Sequence, residues 1–92
     1  MTVLNDPTKS FIFKLSQIED EYNIAFKFGT GKTSFFYYLD VKNKKIEIHL
    51  KDYQVEIYLK DLISNKTENV TFFHLTSNKI TKHLRNLINK IK

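Results

Sequence analysis

The chain has 92 residues, carries a formal net charge of +5 and contains no cysteine. This length fits a single domain, and the lack of cysteine excludes disulfides, thiolate nucleophiles and cysteine zinc sites. Residues 1–68 carry ten lysines and ten acids, so the whole excess charge lies in residues 69–92. That last quarter has no acid, and its cations are Lys79, Lys82, Arg85, Lys90 and Lys92.

The N-terminal residues 1–10 lack a basic segment followed by an apolar run, and no stretch approaches the length of a membrane span. We therefore predict a cytoplasmic protein without a transmembrane segment, and we expect residues 1–10 to be loosely ordered. Fourteen lysines stand against one arginine, and Ala25 is the only alanine. This usage is typical of AT-rich coding, such as that of a low-GC bacterium, its phages or plasmids, or a parasite.

The first half of the chain alternates apolar and polar residues with the period of a β-strand, and the strand-rich region extends over residues 11–76. Residues 11–16 and 22–28 are predicted strands, with a solvated acidic turn at 19–21 between them. Residues 29–33, GTGKT, hold both glycines and predict a tight turn.

The second half of this region continues the pattern. Residues 34–41 are apolar on both faces and predict a central or covered strand, and residues 45–50 alternate cleanly. Residues 53–63 fit either a strand or a helix, and the strand is favoured because the alternation before them continues without a break. A polar loop at 64–69 then precedes a strand at 70–76.

The apolar period changes to that of a helix over residues 78–91, with Thr76 or Ser77 as a plausible N-cap. Its aliphatic stripe consists of Ile80, Leu84, Leu87, Ile88 and Ile91, and the five cations occupy the remaining surface. We therefore predict one α+β domain over residues 1–92. Its five- to six-stranded, mainly antiparallel sheet, which can be strongly curled, is packed by one C-terminal amphipathic basic helix. The other face of the sheet is left to solvent or to a partner.

The residues GTGKTS resemble part of a phosphate-binding P-loop but lack its context. Only Gly31, Lys32 and Thr33 match, because Phe26 stands where the first glycine is required and a strand-forming segment follows. Nucleotide hydrolysis is rejected on this ground.

The three histidines show no spacing typical of metal ligands, and no arrangement of nucleophile and base is visible. We therefore predict a non-catalytic binding protein, with no catalytic residues, no cofactor and no metal site.

Aromatic residues on the 34–41 strand supply the second binding signal. Phe36 and Tyr38 share one face of this strand, and Tyr37 lies on the other. Rings beside lysines are how proteins stack single-stranded nucleic acid and neutralise its phosphates. The nucleic-acid-binding residues are predicted to be Phe36 and Tyr38 together with Lys79, Lys82, Arg85, Lys90 and Lys92. Because lysine gives charge without reading bases, we expect sequence-independent binding to single-stranded DNA or RNA.

The order of elements, several strands followed by a terminal helix, resembles that of the whirly-like proteins that bind single-stranded nucleic acid, although those use four strands per helix. Two alternatives stay open. One is a phage- or plasmid-encoded protein-interaction module that inhibits a host protein by docking on its acidic surface. The other is a module like the pleckstrin-homology barrel that binds anionic lipid. The edge strands of an open sheet would also permit a homodimer.

Overall fold

The computed structural model describes residues 7–30 and 35–92. Within these ranges the chain forms a helix, five strands and a second helix: α1 (Pro7–Tyr22), β1 (Lys27–Thr30), β2 (Phe35–Val41), β3 (Lys44–Lys51), β4 (Gln54–Asp61), β5 (Lys66–His74) and α2 (Ile80–Ile91). Each strand pairs antiparallel with its neighbour in sequence, in the order β1-β2-β3-β4-β5.

The predicted α+β class with a five-stranded antiparallel sheet is confirmed. The sheet of the described residues is open, with β1 and β5 as its two edges. It is therefore not the closed barrel that the pleckstrin-homology alternative requires. No helix in the described ranges is long and apolar enough to cross a bilayer.

The main correction concerns residues 11–16, which belong to α1 and do not form a strand. Two periods overlap here, because Phe11 and Leu15 fit both the alternating pattern and a helical stripe that continues to Ile18. In the structure Phe11, Leu15 and Ile18 are buried, whereas Phe13 is 64% exposed. The helical period therefore decides, since it places three large apolar side chains on one face.

The region 11–76 is consequently less strand-rich than predicted, and two helices instead of one cover the sheet. Pro7 stands at the first position of α1, where its missing N–H costs no intrahelical hydrogen bond. Of the segment 1–10, which was expected to be loosely ordered, residues 7–10 are helical and residues 1–6 lie outside the described part.

The acidic residues 19–21 lie in the last turn of α1, which ends at Tyr22, whereas a separate turn was predicted there. Asn23 has a φ of 54°, the left-handed conformation that commonly follows a helix. The carboxylate of Glu19 then accepts a hydrogen bond of 2.7 Å from the backbone N–H of Phe26. Glu19 thus fixes the connection to β1, and β1 begins at Lys27, later than the strand predicted from residue 22.

The later strands agree closely with the sequence pattern. The ambiguous segment 53–63 contains the strand β4, with Val55, Ile57 and Leu59 all buried. The loop predicted at 64–69 is shorter, because β5 begins at Lys66. Of the predicted glycine turn at 29–33, residues 31–33 lie outside the described part.

Helix α2 buries the five aliphatic residues that the sequence pattern predicted: Ile80, Leu84, Leu87, Ile88 and Ile91. They join one core cluster with Phe11, Leu15 and Ile18 of α1 and with the apolar side chains of β2, β3 and β4. Both helices therefore lie on the same face of the sheet. The predicted N-cap is wrong, since Lys79 occupies the N-cap position and makes no side-chain capping hydrogen bond. Ser77 lies two residues earlier, and its hydroxyl accepts a hydrogen bond of 3.2 Å from the Lys79 N–H.

Substitution of two phenylalanines distinguishes helix from strand at residues 11–16. We expect Phe11→Ala to lower the free energy of unfolding by about 3–5 kcal/mol, because it empties a core position. Phe13→Ala should change it by about 0.5 kcal/mol or less, since that ring is exposed. Urea denaturation measures both, and equal losses would contradict the helix because a strand places both rings on one face.

His83 of α2 packs against Phe73 of β5. Its ring centroid lies 5.3 Å from that of Phe73, and its buried Nε2 has no hydrogen-bond partner among the described residues. Burial lowers the pKa of His83, because an imidazolium would lose hydration there. The folded protein therefore keeps this histidine neutral.

We expect this histidine to make stability fall in mild acid. Below about pH 6.5, the ordinary pKa of histidine, the unfolded chain takes up a proton at residue 83 that the folded chain binds only at lower pH. His83→Leu removes this difference, so its free energy of unfolding should change less than that of the wild type between about pH 7 and 5. Identical pH profiles in urea denaturation would contradict the assignment.

Candidate nucleic-acid interface

In the described part of the chain, both helices pack on one face of the sheet and no helix covers the other, which we call the open face. Cross-strand register arranges its central side chains in two rows. The first row is Phe36, His49, Glu56 and Phe72; the second is Tyr38, Glu47, Tyr58 and Val70. Lys27 and Gly29 of β1 extend these rows beside Tyr38 and Phe36. The open face is therefore a ladder of rings and charges.

The rings of the open face contact one another. Phe36 stacks on His49 with centroids 4.9 Å apart, and it lies 5.9 Å from Tyr38. The ring of Tyr58 meets His49 edge-on at 5.1 Å. Phe36 and Tyr38 thus share a face as predicted, and Tyr37 lies on the other face against Phe28.

Gly29 makes room for the ring of Phe36. A Cβ atom placed on Gly29 would lie 2.7 Å from that ring, closer than van der Waals contact permits. The aromatic side chain can therefore lie across β1 only because residue 29 has no side chain. Phe36 is held between this glycine and the imidazole of His49.

Glu47 is the buried charge at the centre of the open face, and its side chain is surrounded by donors. Its Oε1 lies 2.9 Å from Nε2 of His49 and 3.2 Å from Nζ of Lys60, and its Oε2 lies 3.7 Å from Nζ of Lys45. Burial by itself would raise the pKa of Glu47, but the hydrogen bonds and charges of His49 and Lys60 outweigh it and lower the pKa. The carboxylate is therefore ionised and fixes the two lysines.

These two lysines also lie over the tyrosine rings. Nζ of Lys45 is 4.7 Å from the ring centroid of Tyr38, and Nζ of Lys60 is 5.9 Å from that of Tyr58. Each ammonium group consequently stands beside a ring that could stack on a base. Sequence reasoning missed Lys45, Lys60 and Tyr58, although their places in the alternating strands put them on the same face as one another.

The lysine-rich helix lies on the opposite side of the molecule. Its aliphatic stripe packs on the covered face of the sheet, so its cations do not lie on the open face. Lys79, Lys82 and Lys90 are exposed and form no ion pair among the described residues. The seven residues predicted as one site are therefore divided between two surfaces separated by the sheet and its core.

Helix α1 engages the other two cations of α2. Arg85 forms an ion pair with Glu21 at 3.1 Å, and Nζ of Lys92 lies 5.2 Å from the ring centroid of Tyr22. These contacts join the two helices side by side. Two of the five cations are therefore engaged by α1. The sequence pattern did not indicate these contacts, because it predicted a strand where α1 lies.

A groove opens at the corner of the open face where β3 turns into β4. It has a volume of about 600 Å³, within the range of ligand sites. Its walls include Lys51, Gln54, Glu56, Phe72 and His74. Phe72 lies on the open face, and its side chain in the groove is 54% exposed to solvent.

Comparisons of the chain with protein families, with curated proteins and with solved structures found no match. Within residues 7–30 and 35–92, no three histidine or acidic side chains lie together as a metal site would require.

Glu47→Gln tests the central ion pairs. We expect it to lower the free energy of unfolding at neutral pH by about 1–3 kcal/mol, because Lys45 and Lys60 lose their charged partner. The pKa of Glu47 is lower in the folded state, so its carboxylate stabilises the fold above about pH 4.3 and this contribution is lost as the pH falls through the folded-state pKa.

The difference between wild type and Glu47→Gln should therefore be largest near neutral pH and shrink in acid, as measured by urea denaturation across pH. Asp40→Asn removes an exposed carboxylate from the same face and serves as the control, with little expected change. A difference that does not vary with pH would contradict the role of the charge.

Proposed function

We propose that the protein is a small, non-catalytic binding protein that holds single-stranded nucleic acid on its open face. The observation that carries the proposal is the ladder of rings with lysines over them on a sheet face that no helix of the described residues covers. Phe72 offers an aromatic surface to solvent, Phe36 stacks on His49, and Lys45 and Lys60 lie over the rings of Tyr38 and Tyr58. Stacking on such rings is favourable for any base, because every base has a π-face.

The charges of the open face support phosphate contacts of limited strength. Its lysines are Lys27, Lys45, Lys51 and Lys60, and its acids are Asp40, Glu47 and Glu56, which leaves a small positive excess. Lysine acts on phosphate as a point charge and does not read base edges. Binding is therefore expected to be mainly sequence-tolerant and to weaken with salt. A cytoplasmic location belongs to the same proposal.

Stacking on the rings of the open face also favours a single-stranded nucleic acid over a duplex. The two rows of rings lie on adjacent positions of a pleated sheet, and stacking on them requires bases with a free face. Bases in a duplex are stacked on one another and present only their edges. The open face therefore suits unpaired bases.

Fluorescence anisotropy with a short labelled single-stranded oligonucleotide tests the proposal. We expect Phe72→Ala to weaken binding by about tenfold, because an aromatic stacking contact is lost. Phe13→Ala is the matched control, since it removes another exposed phenylalanine, from α1 on the other side of the sheet, and it should leave affinity unchanged.

Two lysines locate the phosphate contacts. Lys27→Ala, on the open face, should weaken binding more than Lys82→Ala, on the outer surface of α2. No binding to any single strand at low salt would refute the proposed function. Loss of binding in Lys82→Ala with full binding in Phe72→Ala would move the interface to α2.

A protein partner is the second candidate, and the edge strand β5 favours it. Val70 and Phe72 are exposed there, and residues 66–70 are all exposed. An unpaired edge of this kind can accept a strand from another chain, either a partner protein or a second copy. Lys79, Lys82 and Lys90 would instead face an acidic protein surface. A stoichiometric protein partner that survives nuclease treatment would favour this candidate.

A further inference from the structure

We propose that the groove at the β3–β4 corner binds one unstacked base of the nucleic acid and favours guanine. This inference rests on the single-strand binding proposed above and adds a base preference to it. Register places Glu56 beside Phe72, and Gln54 beside His74, so the groove combines an aromatic wall with a carboxylate and an amide.

Phe72 supplies the stacking surface of this groove. Its ring is largely exposed and forms no contact with another ring among the described residues, unlike Phe36, which is covered by His49. At the end of the groove, Tyr53 stacks on His74 with centroids 6.3 Å apart and rings nearly parallel. A base can therefore lie on Phe72 without displacing an existing ring contact.

Glu56 differs from Glu47 in its free hydrogen-bonding capacity. Glu47 is surrounded by His49, Lys45 and Lys60, whereas Glu56 forms no ion pair among the described residues. It accepts one hydrogen bond, of 2.9 Å, from the hydroxyl of Tyr58 to Oε1. Its remaining lone pairs, including those of Oε2, are available to a ligand in the groove.

An available carboxylate determines which part of a nucleotide can approach. It repels phosphate and accepts hydrogen bonds only, so it suits the N–H groups of a base edge. Guanine presents two neighbouring donors on its Watson–Crick edge, N1–H and the N2 amino group, and can bind both carboxylate oxygens. Thymine and uracil present a single N–H between two carbonyl groups, which the carboxylate repels. The groove therefore favours guanine over thymine and uracil.

The neighbouring polar groups complete the site. The amide of Gln54 can donate to an acceptor of the same base, since an amide both donates and accepts. Lys51 lies at the edge of the groove and can approach the adjacent phosphate. The backbone of the nucleic acid would then run along the lysine side of the groove, and the base would point toward Glu56.

Anisotropy titrations with matched labelled oligonucleotides test the preference. The probes are a thymidine tract, the same tract with one central deoxyguanosine, and the same tract with deoxyinosine, which lacks the N2 amino group. We expect the guanine to tighten binding by about tenfold over the thymidine tract, as for a good bidentate base contact, and inosine to recover only part of this gain.

Glu56→Gln should abolish the difference between the guanine and thymidine probes while retaining binding to both. Asp40→Asn, which removes one negative charge elsewhere on the open face, is the matched control and should retain the difference. Both variants are checked by urea denaturation, and the wild-type probe series tests the preference by itself if Glu56→Gln does not fold.

Three results would overturn the inference. Equal affinity of the wild type for all probes would overturn the base preference and leave single-strand binding intact. A guanine preference that persists in a folded Glu56→Gln variant would remove the role of Glu56. Absence of binding to every probe at low salt would overturn this inference together with the proposed function.

Discussion

The two helices pack on the same face of the sheet, and this one-sided coverage determines where apolar, aromatic and charged side chains lie. Two amphipathic helices provide enough apolar surface for one layer, and they bury Ile46, Ile48 and Ile57 beneath Phe11 and the aliphatic stripe of α2. Within residues 7–30 and 35–92, no second layer covers the opposite face. Side chains there must tolerate water, and the strands satisfy this mainly with tyrosine, histidine, lysine and a paired glutamate.

The same constraint determines where the charges lie. Because the aliphatic stripe of α2 faces the core, its lysines do not lie on the open face. The count of charges along the sequence therefore located the net charge in the last quarter of the chain, but it did not show on which surface those charges lie. Helix α1 narrows the positive region further, because Glu21 pairs with Arg85 and Tyr22 lies beside Lys92. The open face has its own lysines, which the overall charge count does not reveal.

Much of the sheet and all of the α2 stripe could be predicted, because β3 and α2 each show one clear period, whereas β4 fits both periods and was assigned from the alternation that precedes it. The N-terminal helix could not, since Phe11 and Leu15 satisfy both periods and only tertiary burial distinguishes them. The shared face of Phe36 and Tyr38 follows from alternation. The burial of Glu47 does not, because it depends on His49 and Lys60 and hence on the register between strands.

Nearest-neighbour strand order has a kinetic consequence. Every strand pairs with the one that precedes or follows it, so the sheet can grow by successive hairpins without closing a long loop. The contact between Arg85 and Glu21 spans 64 positions and is by comparison remote. Assembly should therefore begin within the central hairpins, and the two ends of the chain should meet late. Until the two ends meet, both faces of the newly formed sheet are uncovered, and its apolar face is the surface most prone to aggregation.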